Sequence, residues 1–473
     1  MQNRLEKNTI YSFIKSFSQV VFPLITFPYI SRVLQAENVG KINFSTSIIS
    51  YIGLVASLGI STYAIRECSK VKSSREELNK VTSEIFSINI ITTLVAYIIL
   101  ILALIFFRSL QAYKELIIIL SVSVLFTTLG ADWLNTAMED FKYITIRTFV
   151  FQMFSLISML MFVKSSNDYL KYAVITVIST SGANICNLIY RKKYCSTMFT
   201  LKINWKRHFR PILLLFALIM SQTIFVNSDI TILGVIKGNF EVGLYSTSVK
   251  IYSLVNTTIS SIAWVVMPKM SYLFQIGNYK EINKLYKYAF NFIVVIGLPC
   301  IVGINALCHE IIEIVGGKEY LGAVLSLRIL SISLGLSLIG GLIGNIIMLP
   351  SGKESIFLKA SIISAFFNLI SNILFIPIFG LNAAATTTVF SQLIMVIILY
   401  LNIDKNIKIQ NIHKLLLSPV IGSVYISLIC IVIHLLISNL LKKVIISILL
   451  SMSGYLVILV LLKNKFILGF VRH

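Results

Sequence analysis

Long uninterrupted apolar runs are the feature that most constrains the fold of this chain. The stretch IITTLVAYIILILALIFF, at 90–107, contains no charged residue. A helix needs about 20 such residues to cross a hydrocarbon layer roughly 30 Å thick. Strands of a membrane barrel would instead alternate apolar and polar residues over segments of about ten. The run therefore predicts a transmembrane helix.

Composition extends this prediction to the whole chain. Hydrophobic residues make up 57% of it, charged residues 13%, and the mean hydropathy is +0.87. A water-soluble core cannot bury that apolar fraction, and backbone in lipid must satisfy its own hydrogen bonds. The six cysteines form no CxxC pair and no zinc pattern with histidine. We predict an all-α integral membrane protein without metal or redox chemistry.

Hydropathy windows divide the chain into about fourteen spanning helices. The predicted spans are 9–33, 42–64, 84–107, 115–136, 143–163, 170–189, 210–236, 242–267, 289–307, 325–349, 356–379, 382–403, 415–437 and 444–462.

The distribution of Lys and Arg predicts the orientation. The formal net charge of +22 would suggest nucleic acid for a soluble protein, yet these residues fall mostly between the spans. About 28 lie in one set of alternate connections and about 11 in the other, and the richer set belongs on the cytoplasmic side. Both termini are therefore predicted to be cytoplasmic, with the lipid bilayer and no nucleic acid as partner.

An internal repeat predicts two lobes. A shift of 203 positions aligns Gly40 with Gly243 and Ser45 with Ser248, so that spans 1 and 2 match spans 7 and 8. Six spans separate the copies, an even number, so both have the same orientation around an axis along the membrane normal. Two six-helix lobes around a central cavity are the expected result.

Lobe boundaries follow from this repeat. We predict an N-terminal lobe at 1–205, a C-terminal lobe at 206–403 and an added helix pair at 404–473. The basic, polar connection near 190–209 is the longest between spans, and its central position predicts a hinge.

Polar residues within spans are the candidates for substrate contact, since a charge at a helix centre costs about 2.5 to 3.5 kcal/mol on insertion scales. Span 8 carries the strongest pattern, a polar stripe at helical spacing. It contains Ser246, Lys250, Ser253 and Asn256. The repeat-related face of span 2 carries Asn43 and Ser47. Such hydroxyls also join helices to each other, which is the alternative interpretation.

Span 1 has a second polar face. Lys15, Gln19 and Thr26 are four and seven residues apart, which places them near one side of a helix. They are predicted to line the cavity. Alternatively, Lys15 extends its side chain to the cytoplasmic headgroups.

Other charged residues have competing roles. Asp229 in span 7 is a candidate site for proton or sodium coupling, or forms an ion pair for which Lys250 is a possible partner. Arg32, Arg66, Asp132 and Arg147 lie near span ends and are predicted to form a gate or interfacial contacts. Arg328 at the start of span 10 resembles Arg32 in this respect. No other cofactor is expected.

Motifs of common enzymes are missing from the sequence. It contains no HExxH, GxSxG or GxxxxGK[ST], and no GxGxxG after a strand. We predict that the chain is not an enzyme.

Several stretches resemble a known family. They are PYISRVLQAENVGKINFSTSIISYIGLVASLGISTYAIRE, ADWLNTAMEDFKYITIRTFVFQ, NSDITILGVIKGNFEVGLYSTSVKIY and EYLGAVLSLRILS. The sequence is similar to the Wzx-type flippases for O-antigen and capsule repeat units, in the superfamily that includes multidrug exporters of the MATE type and the lipid II flippase. The resemblance extends over about 8–400.

This resemblance implies a substrate and a location. Such flippases move an undecaprenyl-diphosphate-linked oligosaccharide from the inner to the outer leaflet of the bacterial cytoplasmic membrane, for lipopolysaccharide or capsule synthesis. The resemblance also implies a polysaccharide polymerase and a chain-length regulator as possible partners. A MATE-type drug or ion exporter is the alternative, but it would need acidic cavity groups to hold cationic drugs, and Lys15 and Lys250 argue against it. A membrane glycosyltransferase or polymerase is a further alternative.

Overall fold

The computed structural model describes residues 2–409, 412–464 and 466, and its regular elements in this part of the chain are all helical. The α-helices are α1 (Gln2–Ser57), α2 (Ile60–Lys70), α3 (Arg75–Phe106), α4 (Arg108–Gln111), α5 (Lys114–Gly130), α6 (Asp132–Ala137), α7 (Phe141–Phe162), α8 (Tyr169–Tyr190), α9 (Trp205–Ile236), α10 (Asn239–Ser260), α11 (Ile262–Gln275), α12 (Tyr279–Ala306), α13 (Cys308–Gly316), α14 (Val324–Leu342), α15 (Glu354–Leu401), α16 (Ile412–Leu436) and α17 (Leu440–Leu461). The all-α prediction is confirmed.

The number of spans depends on how bent helices are counted. Within the described residues, ten helices are long and apolar enough to cross a membrane, or eleven with the bent pair α10 and α11. Two of them contain a non-helical residue, Gln35 in α1 and Gly380 in α15. Dividing these two at their breaks and adding α5, which has 17 residues, gives the fourteen predicted segments. The connections predicted after spans 1 and 11 are thus single-residue breaks.

Contacts divide the chain into two compact units, 1–243 and 244–473. In the first unit, α1 packs against α3, α5, α7 and α9, and α5 packs against α8. A core of apolar side chains lies where α2, α3 and α6 meet, around Tyr63, Ile85 and Leu134. These two units are defined by contacts and do not test the lobe boundary predicted at residue 205, which stays a prediction.

The connection between α8 and α9 is hydrogen-bonded to α3, and its role as a hinge stays a prediction. In this connection, the backbone amide of every second residue donates to a side chain of α3. The accepting side chains are four residues apart along α3. These bonds join Ser196 N to Asn79 Oδ1 (2.8 Å), Met198 N to Ser83 Oγ (3.1 Å) and Thr200 N to Ser87 Oγ (2.8 Å). The spacing matches because two extended residues advance by about 6.6 Å and four helical residues by about 6 Å.

Helix breaks recur at the spacing of the sequence repeat. Gln35 has φ 63°, and Gly238, which lies 203 positions later, has φ 89°. The break at Leu58 and Gly59 between α1 and α2 likewise corresponds to the break between α10 and α11. The repeat predicted from the sequence is thus visible in the backbone.

Two repeat-related glycines meet other backbone at close range. A Cβ atom on Gly40 would overlap the carbonyl oxygen of Asn239, and one on Gly243 would overlap that of Ala36. Asn239 is itself 203 positions after Ala36, so the two contacts are reciprocal. Any side chain here would separate α1 from the start of α10.

In the second unit, the C-terminal helices pack against α12. Tyr455 Oη in α17 donates to the carbonyl oxygen of Val295 in α12, at 2.7 Å. Ile426 and Cys430 of α16 complete a small apolar cluster with these residues and with Leu459. The last two helices therefore share a core with α12.

Candidate functional site

The polar face of α10 carries the predicted cation. Lys250 is half-buried, and among the described residues its ammonium has no carboxylate within 4.0 Å. Ser253 Oγ donates to the Lys250 carbonyl oxygen at 3.0 Å, so this hydroxyl is bound within its own helix. Ser246 Oγ is buried and has no hydrogen-bond partner in the described part of the chain. Asn256 Oδ1 accepts from Ser260 at 3.4 Å.

A polar contact joins the second half of α1 to α9. Ser47 Oγ lies 2.9 Å from Thr231 Oγ1, which lies 3.3 Å from Tyr51 Oη. Asp229 in α9 is only 4% exposed, and Asn43 is half-buried. For Ser47 the geometry favours the interpretation that its hydroxyl joins helices. Substrate contact by these residues stays a prediction.

The first half of α1 presents its polar residues unevenly. Lys15 is half-buried and Gln19 is exposed, whereas Thr26 is buried and donates to the Phe22 carbonyl oxygen at 3.0 Å. Thr26 is therefore already satisfied within the helix, which leaves Lys15 and Gln19 as the more available pair. Arg32, further along the same helix, is exposed.

A buried polar network connects α6, α7 and α8. Arg147 Nη2 lies 3.1 Å from Asp132 Oδ1, and Arg147 Nη1 also donates to Asn187 Oδ1. Asn187 Nδ2 donates to Asp132 Oδ1 at 3.1 Å, and Asn135 Nδ2 donates to Asn187 Oδ1 at 2.9 Å. Arg147 is 8% exposed. Asp132 and Arg147, predicted as gate or interface residues, are thus brought together to fix a turn between helices.

Beside this network, Asp140 is held by aromatic hydroxyls. Tyr190 Oη donates to its carboxylate at 2.6 Å, and Tyr194 Oη donates to the same oxygen. Lys193 Nζ lies 3.7 Å away. Partial burial alone would raise the pKa of Asp140, but the two tyrosines and the nearby lysine outweigh it and hold this pKa below its usual value.

A second buried group lies near the ends of α2, α3 and α9. His208 is fully buried, with Nδ1 2.7 Å from Tyr63 Oη and Nε2 2.9 Å from Glu84 Oε2. The ring joins three helices through both of its nitrogens. Arg66, a predicted gate residue, lies outside this group: it is exposed, 3.4 Å from Glu67 Oε1 and stacked over the Tyr63 ring at 5.6 Å.

Sequence reasoning did not single out Asn187, Glu84 or His208. Asn187 has no charge to mark it within its span, and His208 lies in the basic segment assigned to the hinge. Glu84 offered a signal, because it is a carboxylate at the first position of a predicted span. Its partner is more than a hundred positions away, so pairing could not be read from spacing.

Long apolar helices with polar and cationic side chains on their faces define a multi-pass membrane protein. The chain belongs to a family described as polysaccharide biosynthesis protein, whose model matches residues 5–274.

Two relatives extend the similarity beyond that region. A putative O-antigen transporter of Shigella dysenteriae is 23% identical over 401 residues, covering 83% of this chain and 98% of the relative. The capsular polysaccharide biosynthesis protein CapF of Staphylococcus aureus is 26% identical over 407 residues, with the same coverage of 83% and 98%.

A solved structure has the same fold. The lipid II flippase MurJ, in an inward closed conformation, superimposes with a TM-score of 0.79 at 16% identity, over 97% of this chain and 100% of that one. The likeness includes the region of the C-terminal helices.

Proposed function

We propose that this protein is a flippase that moves an undecaprenyl-diphosphate-linked oligosaccharide repeat unit from the cytoplasmic to the outer leaflet by alternating access. Its product would enter the synthesis of O-antigen, capsule or another surface polysaccharide. The observation that carries the proposal is the family match over residues 5–274. The names of the two relatives and the shared fold support it.

Lys250 is the proposed contact for the diphosphate. An ammonium half-buried in an apolar helix is costly unless it has an anionic partner. In the described part of the chain no carboxylate pairs with it. A lipid diphosphate would supply the negative charge that pairs with the Lys250 ammonium. On α1, Lys15 is proposed as a second phosphate contact.

Neutral polar side chains on the same helices suit sugar hydroxyls, because amides and hydroxyls both donate and accept. Those proposed are Gln19, Asn43, Ser47, Ser246, Ser253 and Asn256. Asp229 is proposed as a proton or sodium coupling site, because it is an acidic side chain only 4% exposed within a span.

The membrane is inferred from the resemblance to Wzx-type flippases, and the orientation from the charge pattern. We propose the bacterial cytoplasmic membrane, with both termini on the cytoplasmic side, since the lysine-rich connections alternate with lysine-poor ones. A polysaccharide polymerase would act on the translocated unit, and a chain-length regulator would act with the polymerase. Both are proposed as partners.

The test uses the native host with its own copy of the gene deleted and restored as variants. Lys250→Ala should lower surface polysaccharide by about tenfold, because a charge-assisted hydrogen bond to phosphate contributes roughly 1.5 to 3 kcal/mol. Lys250→Arg keeps the charge and should do less harm. Surface polysaccharide is measured by gel or immunoblot, at equal protein level in the membrane.

Lys284→Ala is the matched control, because this lysine is 78% exposed and, within the described residues, forms an ion pair with Glu281 alone, at 3.7 Å. The deletion strain should accumulate lipid-linked oligosaccharide, which distinguishes transport from synthesis. Normal polysaccharide in that strain would exclude the flippase function, and altered drug susceptibility alone would favour an exporter. Normal polysaccharide with Lys250→Ala would exclude only the phosphate role of this residue.

A further inference from the structure

A cavity of about 660 Å³ lies within the second unit, among α12, α14 and α16. Its size is in the range of small-molecule sites. We call it the Arg328 cavity. It is lined by Ile301, Val302, Asn305, Ala306, Arg328, Ser427, Cys430, Ile431, His434 and Leu435. Apolar side chains thus share it with two groups that can be cationic, an amide and a hydroxyl.

Arg328 is a cation without an anionic partner. Its Nε lies 3.0 Å from Cys308 Sγ, which is a weak acceptor. Within the described ranges, no carboxylate lies within 4.0 Å of the guanidinium, and neither Nη atom has a hydrogen-bond acceptor. Four N–H donors of a planar fork are left available at the cavity, which is the geometry that binds a phosphate through two parallel bonds.

The His434 ring is held by contacts to one nitrogen, Nδ1, while the second nitrogen, Nε2, lies on the opposite side of the ring. Its Nδ1 lies 2.9 Å from Glu310 Oε1 and 3.2 Å from Lys443 Nζ. An ammonium can only donate, and Glu310 can accept from both groups, so Nδ1 carries the proton toward the carboxylate. Among the described residues Nε2 has no hydrogen-bond partner, and it can donate to an anion when the ring carries both protons.

Glu310 does not itself repel an anion from the cavity. Its side chain is 3% exposed, and Lys443 Nζ lies 3.5 Å from it. Burial alone would raise the pKa of Glu310, but its own backbone amide, His434 and Lys443 outweigh burial and hold this pKa below its usual value. The carboxylate is therefore ionised and neutralised by its neighbours. The charge left facing the cavity is positive.

We propose that the Arg328 cavity binds a phosphate group, with Arg328 and His434 as its cationic contacts. Asn305 and Ser427 also line the cavity. Asn305 Nδ2 donates to Ser331 Oγ at 3.2 Å and keeps a second N–H for a phosphate oxygen, whereas Ser427 Oγ donates to the Ser423 carbonyl oxygen at 3.3 Å. Ile301, Val302, Ile431 and Leu435 suit the first carbons of a lipid chain. The two sources of such a phosphate are the headgroup of an anionic phospholipid and a free anion such as pyrophosphate.

This site is independent of the proposed function, because a bound phospholipid would support the fold of an exporter equally well. It also differs from ordinary anchoring of an arginine at the membrane surface. Anchoring requires only a charge at that level of the bilayer, whereas a built site requires the cavity, the fork of Arg328 and the orientation of His434.

The experiment measures lipid retention by native mass spectrometry on the purified full-length protein. Delipidated protein is offered phosphatidylglycerol, or a diglucosyl-diacylglycerol that lacks phosphate. Arg328→Gln should lower retention of phosphatidylglycerol by about tenfold. Arg328→Lys should fall between, since it lacks the fork. The second variant, His434→Gln, should lower retention severalfold, and its side chain is 60% exposed, so the fold is expected to tolerate it.

Lys442→Gln is the matched control, because it removes an exposed cation close to His434 in sequence and does not line the cavity. Where the wild type retains phosphatidylglycerol, equal loss with Lys442→Gln, equal retention of the phosphate-free lipid, or no change with either Arg328→Gln or His434→Gln would overturn the proposal. Where the wild type retains none, the absence of an Arg328-dependent response to pyrophosphate would overturn it. A parallel arm measures the thermal unfolding midpoint with pyrophosphate. A rise that depends on Arg328, without retained phospholipid, supports the phosphate site and assigns it to a free anion.

Discussion

Burial decides which of two ion pairs in the first unit matters more for stability. Arg147 and Asp132 are 7% and 36% exposed at their side chains, whereas Lys72 and Glu139 are 47% and 41% exposed. An exposed pair contributes about 0 to 1 kcal/mol, because water and salt screen it. Removing one partner of a buried pair costs more, since the other charge is left without its hydrogen bonds.

Arg147→Met should therefore destabilise the protein by on the order of 2 kcal/mol or more, since it removes the buried cation that pairs with Asp132 and also donates to Asn187 Oδ1. Lys72→Met is the matched control and should change stability by less than about 1 kcal/mol. The measurement is the thermal unfolding midpoint of both variants in detergent. Equal shifts for the two variants would show that the network around Arg147 is no stronger than a surface pair.

At the scale of the element, the breaks in α1 and before α10 matter more than the helices they separate. Hydropathy predicted the spans on either side but assigned the positions between them to connections. The structure shows that α1 continues through a single left-handed residue and then passes α10 where two glycines permit backbone contact. Periodicity within a helix carries no information on how closely another helix approaches it.

Gly40→Ala should prevent this close approach, because the added Cβ would overlap the backbone carbonyl of Asn239, which cannot move as a side chain can. We expect loss of folded protein, measured as monodisperse yield by fluorescence-detected size exclusion. Gly303→Ala is the control, since its Cβ would meet nothing within 4 Å, and alanine favours a helix by up to about 1 kcal/mol. A normal yield of Gly40→Ala would mean that α1 and α10 are further apart than described.

At the scale of the whole molecule, stability should fall in acid. Asp140 and Glu310 both have a pKa held below the usual value, so the folded state binds these protons less readily than the unfolded chain. Their contribution is fully present above the unfolded pKa, about 4, and is lost as pH falls through the folded pKa. The unfolding midpoint should therefore drop on acidification from pH 7 to below pH 4.

The double variant Asp140→Asn, Glu310→Gln is the comparison. It should be less stable than the wild type at pH 7 and lose less on acidification, because it lacks two of the carboxylates whose pKa is lowered in the folded state. A double variant with the same acid dependence as the wild type would place the effect in other groups. The measurement is again the thermal midpoint in detergent, at constant ionic strength.

The all-helical membrane character and the approximate spans could be predicted from the sequence, because each depends on the order of apolar residues along a single helix. The repeat was also predictable, because it appears as a comparison of the sequence with itself at a shift of 203 positions. Asp132 and Arg147 were identified as well, since charges in spans are conspicuous. The contacts that join Asn187 to them, His208 to Tyr63 and Glu84, and the segment after α8 to α3 were found in the packed structure. These contacts join residues tens to more than a hundred positions apart, and their energy depends on distances and burial that exist only after the helices have packed.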